Sequence, residues 1–146
     1  MTREYYATVC SRVALRSRPV GTRLAAALYW LAAAIMLTAP GIPMIFQGQE
    51  MLDTRAFGFN TPTNMDFSRA DDPKIKGIVQ MYRDLIALRR NVAGKTRGLT
   101  GQNLNVFHLD NGNKTLAYHR WENGGPGDDV VVVANFSNVP MQNLNI

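Results

Sequence analysis

The longest apolar run of the chain extends from Leu24 to Phe46 and contains no charged residue. Alanine and leucine give its first part a high helix propensity, and Thr22 is placed to cap a helix over roughly residues 23–38. Pro40–Gly41 should end this helix. The segment Met44–Phe46 is then continuously apolar, which predicts a short parallel strand buried on both faces. This order of helix, turn and buried strand is typical of one step in an α/β structure.

The same run also suggests a membrane anchor. Its first 16 residues, Leu24 to Ala39, fall short of the roughly 20 apolar residues that span a bilayer. The preceding arginines fit a positive-inside anchor or the start of a signal peptide. Seven of the 16 residues, however, are alanine, which is only weakly hydrophobic. A buried helix in a cytoplasmic protein is therefore the favoured interpretation, and a membrane-anchored module is the alternative.

Residues 48–72 have the punctuation of a long loop, with repeated glycine, asparagine and proline. Loops of this length are uncommon in compact domains unless they have a function. The loop is rich in aromatic and acidic side chains, which are Phe57, Phe59, Phe67, Glu50, Asp53, Asp66 and Asp71. Aromatic faces can stack on sugar rings, so these phenylalanines are candidates for substrate contact.

A second helix is predicted to begin at Asp72, which suits the N-cap, and Pro73, which suits the first turn. Arg89 near its end suits the negative pole of the helix dipole, and Gly94 follows it. The apolar positions recur at helical spacing in one stripe, formed by Ile75, Ile78, Val79, Tyr82, Leu85 and Ile86. The pattern indicates an amphipathic helix that packs on a larger body.

After Gly94 the hydrophobic pattern changes from helical to alternating, which indicates antiparallel strands. Asn111-Gly112 between two such runs predicts a hairpin with a type I′ turn, which would place Phe107 opposite Leu116. Further strands are predicted over residues 130–136 and from 141 to 146. The chain is thus divided near residues 94–101 into an α/β part, 1–94, and an all-β part, 95–146.

Composition narrows the function classes. The chain has 146 residues and a formal net charge of +5, and one cysteine, Cys10, excludes an internal disulfide. The two histidines, His108 and His119, are too few and too far apart for a zinc site, so no metal and no cofactor is expected. The basic N-terminal region could bind nucleic acid. It lacks interleaved aromatic residues, however, and a solvated surface with no nucleic-acid partner is favoured.

Residues 41–50 carry a recognisable pattern, Gly-x-Pro-x-x-x-x-Gly-x-Glu, formed by Gly41, Pro43, Gly48 and Glu50. With the elements that follow, it resembles the eighth-strand motif of the α-amylase superfamily, the family 13 glycoside hydrolases. Residues 64–67 stand where many relatives have Pro-Leu-Asp-Trp, and Asn135-Phe136-Ser137 resembles a motif of the family's β domain. The resemblance implies the last α/β steps of a (β/α)8 barrel, followed by a truncated antiparallel β-sandwich.

The resemblance also implies an activity, but the residues that would catalyse it are missing from this sequence. Family members act on α-1,4-glucans, by hydrolysis or by branching transfer, with an aspartate nucleophile and a glutamate acid/base. These residues lie on earlier barrel strands, and this chain has neither the Gly-x-Arg-x-Asp motif nor a His-Asp dipeptide. No catalytic residue is therefore assigned. The partners implied are an α-glucan and the missing N-terminal part of the barrel. A non-catalytic carbohydrate-binding module is the alternative.

Glu50, Gln49, Phe57 and Asp66 are the candidates for contact with substrate. Glu50 lies where barrel enzymes place active-site residues, and it could form a carboxylate pair with Asp66. The competing and favoured interpretation is that Glu50 orders the end of the strand by accepting hydrogen bonds from the backbone or from an arginine.

Overall fold

The computed structural model describes residues 6–7, 20–53, 55 and 64–141, with side chains from residue 28 onward. Within these ranges there are two α-helices and one sheet. The helices are α1, Val20–Thr38, and α2, Lys76–Arg89; the strands are β1, Tyr6–Ala7, β2, Asn103–Asp110, β3, Thr115–Trp121, and β4, Val130–Asn135. Short 3-10 turns occupy Gln49–Met51, Phe67–Asp71 and Arg97–Leu99. Cys10, Phe57, Phe59 and the strand predicted beyond residue 141 lie outside the described residues.

Helix α1 confirms the first predicted helix. It begins at Val20, so Thr22 lies inside the helix and the predicted N-cap is wrong. It ends at Thr38, and Gly41 then adopts a left-handed conformation, with φ 97°, that glycine accommodates without strain. Ala33 and Leu37 are buried against α2, which explains the alanine-rich composition, because small side chains allow the two helices to approach closely.

The buried strand predicted at Met44–Phe46 is wrong. Residues 42–46 belong to no sheet, and Ile42, Met44 and Phe46 expose 98%, 78% and 62% of their surface, whereas Ile45 packs on the core between α1 and α2. A parallel strand is stabilised by hydrogen bonds to neighbouring strands and by layers that cover its faces. The described residues provide no neighbouring strand and cover only one side of the segment, so Ile42 and Met44 stay exposed.

Helix α2 confirms the amphipathic prediction. The predicted start is wrong, because α2 begins at Lys76 with Ile75 at its N-cap. Asp72 instead stabilises the turn before the helix, where its side chain accepts a hydrogen bond from the Lys74 amide at 2.8 Å and its carbonyl accepts one from the Lys76 amide at 2.8 Å. The buried stripe divides between two partners. Ile78, Tyr82 and Leu85 pack on α1, whereas Ile75 and Val79 pack on Met51 in the loop.

The sheet confirms that the second half contains antiparallel strands. Its order is β1-β4-β3-β2, with β2, β3 and β4 antiparallel and the two-residue β1 parallel to β4. The chain is thus a mixed α/β structure with a small, largely antiparallel sheet, and its described residues form one open sheet. The barrel and the sandwich implied by the resemblance stay predictions.

The predicted hairpin turn and register are wrong, although the hairpin itself is present. Leu109, not Phe107, lies opposite Leu116, and the register shifts between Val106 and His108. The connection has four residues, 111–114, and neither Asn111 nor Gly112 has the positive φ of a type I′ turn. The Asp110 side chain accepts hydrogen bonds from the Asn113 amide at 3.0 Å and side chain at 2.6 Å, and these bonds stabilise the longer turn.

Helix α1 and the sheet are joined at the C-terminal end of the helix. The Arg120 guanidinium, which is fully buried, donates to the Thr38 carbonyl at 2.5 Å, and the Tyr118 hydroxyl lies 2.5 Å from the Thr38 hydroxyl. Arg89 of α2 donates to the carbonyls of Leu37, Ala39 and Gly41. Arg89 lies in the last turn of α2, as predicted, and it also acts on the end of the other helix. It satisfies the terminal carbonyls of α1, which also fixes the direction in which residues 42–46 leave the helix.

Candidate functional site

The turn within the sequence motif is tightly constrained at Gly48. Its φ of 79° lies in the left-handed region, and an added Cβ would stand 2.7 Å from the Cβ of Asp53. Its carbonyl accepts hydrogen bonds from the Met51 and Asp53 amides, both at 3.0 Å. Both the backbone conformation and the available space therefore require glycine at this position.

Gln49 connects the turn to both helices. Its side-chain oxygen accepts a hydrogen bond from the Phe46 amide at 3.0 Å, and its carbonyl accepts one from the Tyr29 hydroxyl of α1. The Tyr82 hydroxyl of α2 donates in turn to Tyr29 at 3.2 Å. Burial, followed by the bond to Tyr82, raises the pKa of Tyr29 far above its ordinary value. Tyr29 therefore remains a neutral donor and holds the turn in place.

Glu50 lies half-buried in the 3-10 turn next to this chain of hydroxyl groups. Its negative charge contributes to the raised pKa of Tyr29, after the larger effects of burial and of Tyr82. Among the described residues, the Glu50 carboxylate forms no hydrogen bond and no ion pair. The ordering role expected of Glu50 is performed there by another carboxylate, Asp53.

Asp53 is the electrostatic centre of the site. Its side chain is only 1% exposed, and it accepts hydrogen bonds from the Nε of Arg55 at 3.0 and 3.1 Å, from its Nη2 at 2.5 Å and from its amide at 3.0 Å. Arg69 adds a second cation, with Nη1 at 3.4 Å from Oδ1. The hydrogen bonds from Arg55 lower the pKa of Asp53 to about 2.

The two arginines also close the base of the loop. Arg55 donates from Nη1 to the Asn64 carbonyl at 3.0 Å, and Arg69 donates from Nη2 to the Leu52 carbonyl at 3.3 Å. Two segments that are separated by more than ten residues are thereby joined around one buried carboxylate. This arrangement holds the turn at residues 48–53 next to the turn at residues 66–71.

Asp66, the fourth candidate, caps the second turn. Its Oδ1 accepts hydrogen bonds from the Ser68 amide at 3.1 Å and from the Ser68 hydroxyl at 2.6 Å. These bonds, with smaller effects of Arg55 and Arg69, lower the pKa of Asp66. Asp66 shares the two arginines with Asp53 and shares no hydrogen-bond partner with Glu50. The described contacts therefore do not join Glu50 and Asp66 as a carboxylate pair.

We expect the Asp53 cluster to make stability depend on pH. Because the folded state keeps Asp53 ionised to about pH 2 and an unfolded chain titrates near 3.8, the ion pair stabilises the fold above about pH 4. This stabilisation is lost as the pH falls from about 4 towards 2. Urea unfolding of Asp53→Asn should therefore show a deficit at pH 7 that shrinks at pH 2.

Asp84→Asn, which removes an exposed carboxylate from α2, is the matched control for the Asp53 experiment. Its unfolding free energy should stay close to that of the wild type throughout. An Asp53→Asn deficit of the same size at pH 7 and at pH 2 would show that the carboxylate charge has no part in stabilising the loop base.

Sequence reasoning selected residues on both turns of this region but missed Arg55 and Arg69, and it counted Asp53 only as one acid among several. The available signal was the Asp53-x-Arg55 spacing inside a loop that is otherwise poor in basic residues. Of the other candidates, Gln49 and Glu50 lie together on the first turn and Asp66 on the second, whereas Phe57 lies outside the described residues.

Comparisons with protein-family models, with curated proteins and with solved structures found no match. In the part of the chain that the structure describes, no helix is both long and apolar enough to cross a membrane. Within the same ranges, no group of three or more histidine, cysteine, aspartate and glutamate side chains is arranged to hold a metal ion.

Proposed function

We propose that this chain is part of a retaining enzyme that acts on α-1,4-glucans, either by hydrolysis or by branching transfer. In the complete enzyme, residues 41–50 would form the eighth strand of a (β/α)8 barrel and the turn at its active-site end. The nucleophile and the acid/base would be contributed by a preceding part of the barrel, so the chain is inactive by itself.

The observation that carries the proposal is the construction of the turn at Gly48. The pattern Gly-x-Glu is short, and a chance match would not need glycine at that position. Here, the left-handed backbone and the Asp53 side chain, 2.7 Å from where a Cβ would stand, each exclude any larger residue. The glycine of the motif therefore has a specific structural reason, which supports the view that the match is not a coincidence.

The exposed segment 42–46 gives independent support. Ile42 and Met44 are apolar, are largely exposed, and lie in the segment that leads directly into the turn. Such a segment is explained if its natural neighbours are the adjacent strand and the outer helix of a barrel. Those neighbours would supply the hydrogen bonds and the cover that the described residues do not provide.

Reading the DNA upstream of the Met1 codon tests the proposal directly. We expect an in-frame or frameshifted segment that encodes most of a barrel of about 250 residues. That segment should carry an aspartate in a Gly-x-Arg-x-Asp context and a His-Asp dipeptide. An upstream sequence without either motif, in all three frames, would contradict the proposal.

The joined polypeptide, upstream segment plus this chain, should act on amylose. A gain of reducing ends would indicate hydrolysis, and a loss of iodine staining without new reducing ends would indicate branching. Gly48→Ala should lower this activity at least tenfold, because it displaces the turn that carries Glu50. Gly77→Ala, at an open helical position with nothing within 4 Å, is the matched control and should retain activity.

A further inference from the structure

We propose that Arg55, Asp66, Phe67 and Arg69 form a subsite that binds neighbouring hydroxyl groups of an α-glucan chain, with buried Asp53 orienting both guanidinium groups. The identity of the glucan rests on the proposed function. The existence of a polyol-binding subsite rests on the hydrogen-bond donors of the two arginines, the acceptor of Asp66 and the aromatic surface of Phe67.

The arginines have hydrogen-bond donors to spare. A guanidinium carries five N–H groups, and Arg55 uses Nε and one hydrogen on each terminal nitrogen for Asp53 and the Asn64 carbonyl. One hydrogen on each terminal nitrogen is therefore left over among the described contacts. The Arg55 side chain is 40% exposed and that of Arg69 is 33% exposed, so these donors are accessible to a ligand.

Asp66 supplies an acceptor next to these donors. Its Oδ1 receives both hydrogen bonds from Ser68, and its Oδ2 receives none from the described residues. Asp66 lies next to both arginines along the backbone, because the Arg69 amide donates to the Asp66 carbonyl at 3.4 Å and Arg55 donates to the carbonyl of Asn64, two residues before Asp66, at 3.0 Å. A planar donor beside a carboxylate oxygen that accepts no hydrogen bond from the described residues matches a sugar diol, in which each hydroxyl both donates and accepts.

The charge of the cluster favours a neutral ligand. Asp53 and Asp66 balance Arg55 and Arg69, so the four groups together carry no net charge. A phosphate would be repelled by the carboxylates, and a divalent cation would be repelled by the guanidinium groups. A polyhydroxylated ligand satisfies both kinds of group without adding charge.

Phe67 supplies the apolar surface that a sugar ring requires. It follows Asp66 directly in the chain and exposes 70% of its surface. An exposed aromatic ring beside polar groups offers a flat face for the C–H side of a pyranose, while the hydroxyl groups reach the arginines and Asp66. Phe67 and Arg69 therefore lie on the 3-10 turn Phe67–Asp71, and Asp66 is its N-cap. Arg55 is joined to this turn through Asp53, which both arginines contact.

Calorimetric titration with maltoheptaose tests the subsite, using the full chain fused to a carrier protein that binds no sugar. We expect a dissociation constant of about 1 mM, which is reasonable for a small exposed subsite. Phe67→Ala should weaken binding at least fivefold, and Arg55→Lys should also weaken it, because lysine cannot form the planar paired contacts of arginine. Inorganic phosphate and calcium should bind no better than to the carrier alone.

Matched variants separate binding from folding. Phe107→Ala removes another exposed phenylalanine, and Arg83→Lys alters an exposed arginine of α2, so both should bind as the wild type does. Because the Phe67 side chain is largely exposed, Phe67→Ala should leave the melting temperature unchanged. Equal affinity of Phe67→Ala and Phe107→Ala, or no binding of maltoheptaose by the wild type, would overturn the subsite.

The same titrations distinguish this proposal from the proposed function. If the joined polypeptide acts on amylose but this chain binds no maltoheptaose, the subsite is overturned and the proposed function stands. If cellohexaose binds as tightly as maltoheptaose in a manner dependent on Phe67, the diol subsite is supported and its assignment to α-glucans is overturned.

Discussion

Gly98→Ala should destabilise this protein by about 3 kcal/mol, at the upper end of what overpacking costs. Gly98 is buried in the 3-10 turn Arg97–Leu99, and an added Cβ would lie under 3.0 Å from three backbone atoms, those of Asp128, Arg120 and Trp121. Backbone atoms in a hydrogen-bonded sheet cannot move aside as a flexible side chain can. Relief of the clash would also break the 2.8 Å bond from the Gly98 amide to the Asp128 carbonyl.

Urea unfolding followed by tryptophan fluorescence would measure the effect, with Gly77→Ala as the matched control. Gly77 lies in α2 with no atom within 4 Å of an added Cβ. Alanine there should be neutral or should stabilise the helix by up to about 1 kcal/mol. Equal unfolding midpoints for the two variants would mean that residues 97–99 do not pack against the sheet.

Arg120→Ala should cost about 4 kcal/mol and is expected to be the most damaging single side-chain truncation. The fully buried guanidinium donates to the carbonyls of Thr38, Asn103 and Gly101. Truncation would leave three acceptors without this donor, and each buried one costs roughly 1–3 kcal/mol before relaxation and entry of water. It would also separate α1 from the sheet at the point where they are joined.

The Arg120 cation has no carboxylate partner among the described residues, and it lies close to a second cation, Arg89. Burial, with a smaller effect of Arg89, lowers the pKa of Arg120. The negative C-terminal pole of α1 offsets this cost, because both arginines donate to its terminal carbonyls. The charge is thus stabilised by a helix end instead of by an acid.

Arg120→Lys should lose less stability than Arg120→Ala, because it keeps the charge and one donor but not the paired geometry. Arg83→Ala, on the exposed face of α2, should stay within about 0.5 kcal/mol of the wild type. Denaturant midpoints for the three variants would give the ranking. If Arg120→Ala unfolds with the same midpoint as Arg83→Ala, the junction between α1 and the sheet does not contribute to stability.

Helix α2 shows which kind of prediction succeeds. The spacing of Ile78, Tyr82 and Leu85 defines a buried stripe through local geometry alone, and the structure buries these residues. The strands were found for the same reason, since alternation and turn residues act over short distances. The hairpin register failed because one side chain, Asp110, stabilises a longer turn than the Asn-Gly pair implies.

The site shows the limit of the same approach. Glu50 and Asp66 stand out because of their positions in the motif, whereas Asp53 and Arg55 are linked by folding of the loop. The Asp53-x-Arg55 pair is local, but the second cation, Arg69, lies 16 residues further along the chain, so the sequence does not show that both arginines meet at one carboxylate. The strand predicted at Met44–Phe46 failed similarly, since a strand exists only where a partner is present.

The sequence by itself determined the helices, the existence of the antiparallel strands and the motif from Gly41 to Glu50, because each depends on residues that are close together in the chain. Only the tertiary structure decided that the Asp53 side chain is buried and paired with both Arg55 and Arg69. It also decided that Arg120 joins the sheet to α1, and that Ile42, Met44 and Phe46 stay exposed. These features depend on groups brought together from distant segments, where burial changes the free energy of a charge or a hydrogen bond far more than local propensity does.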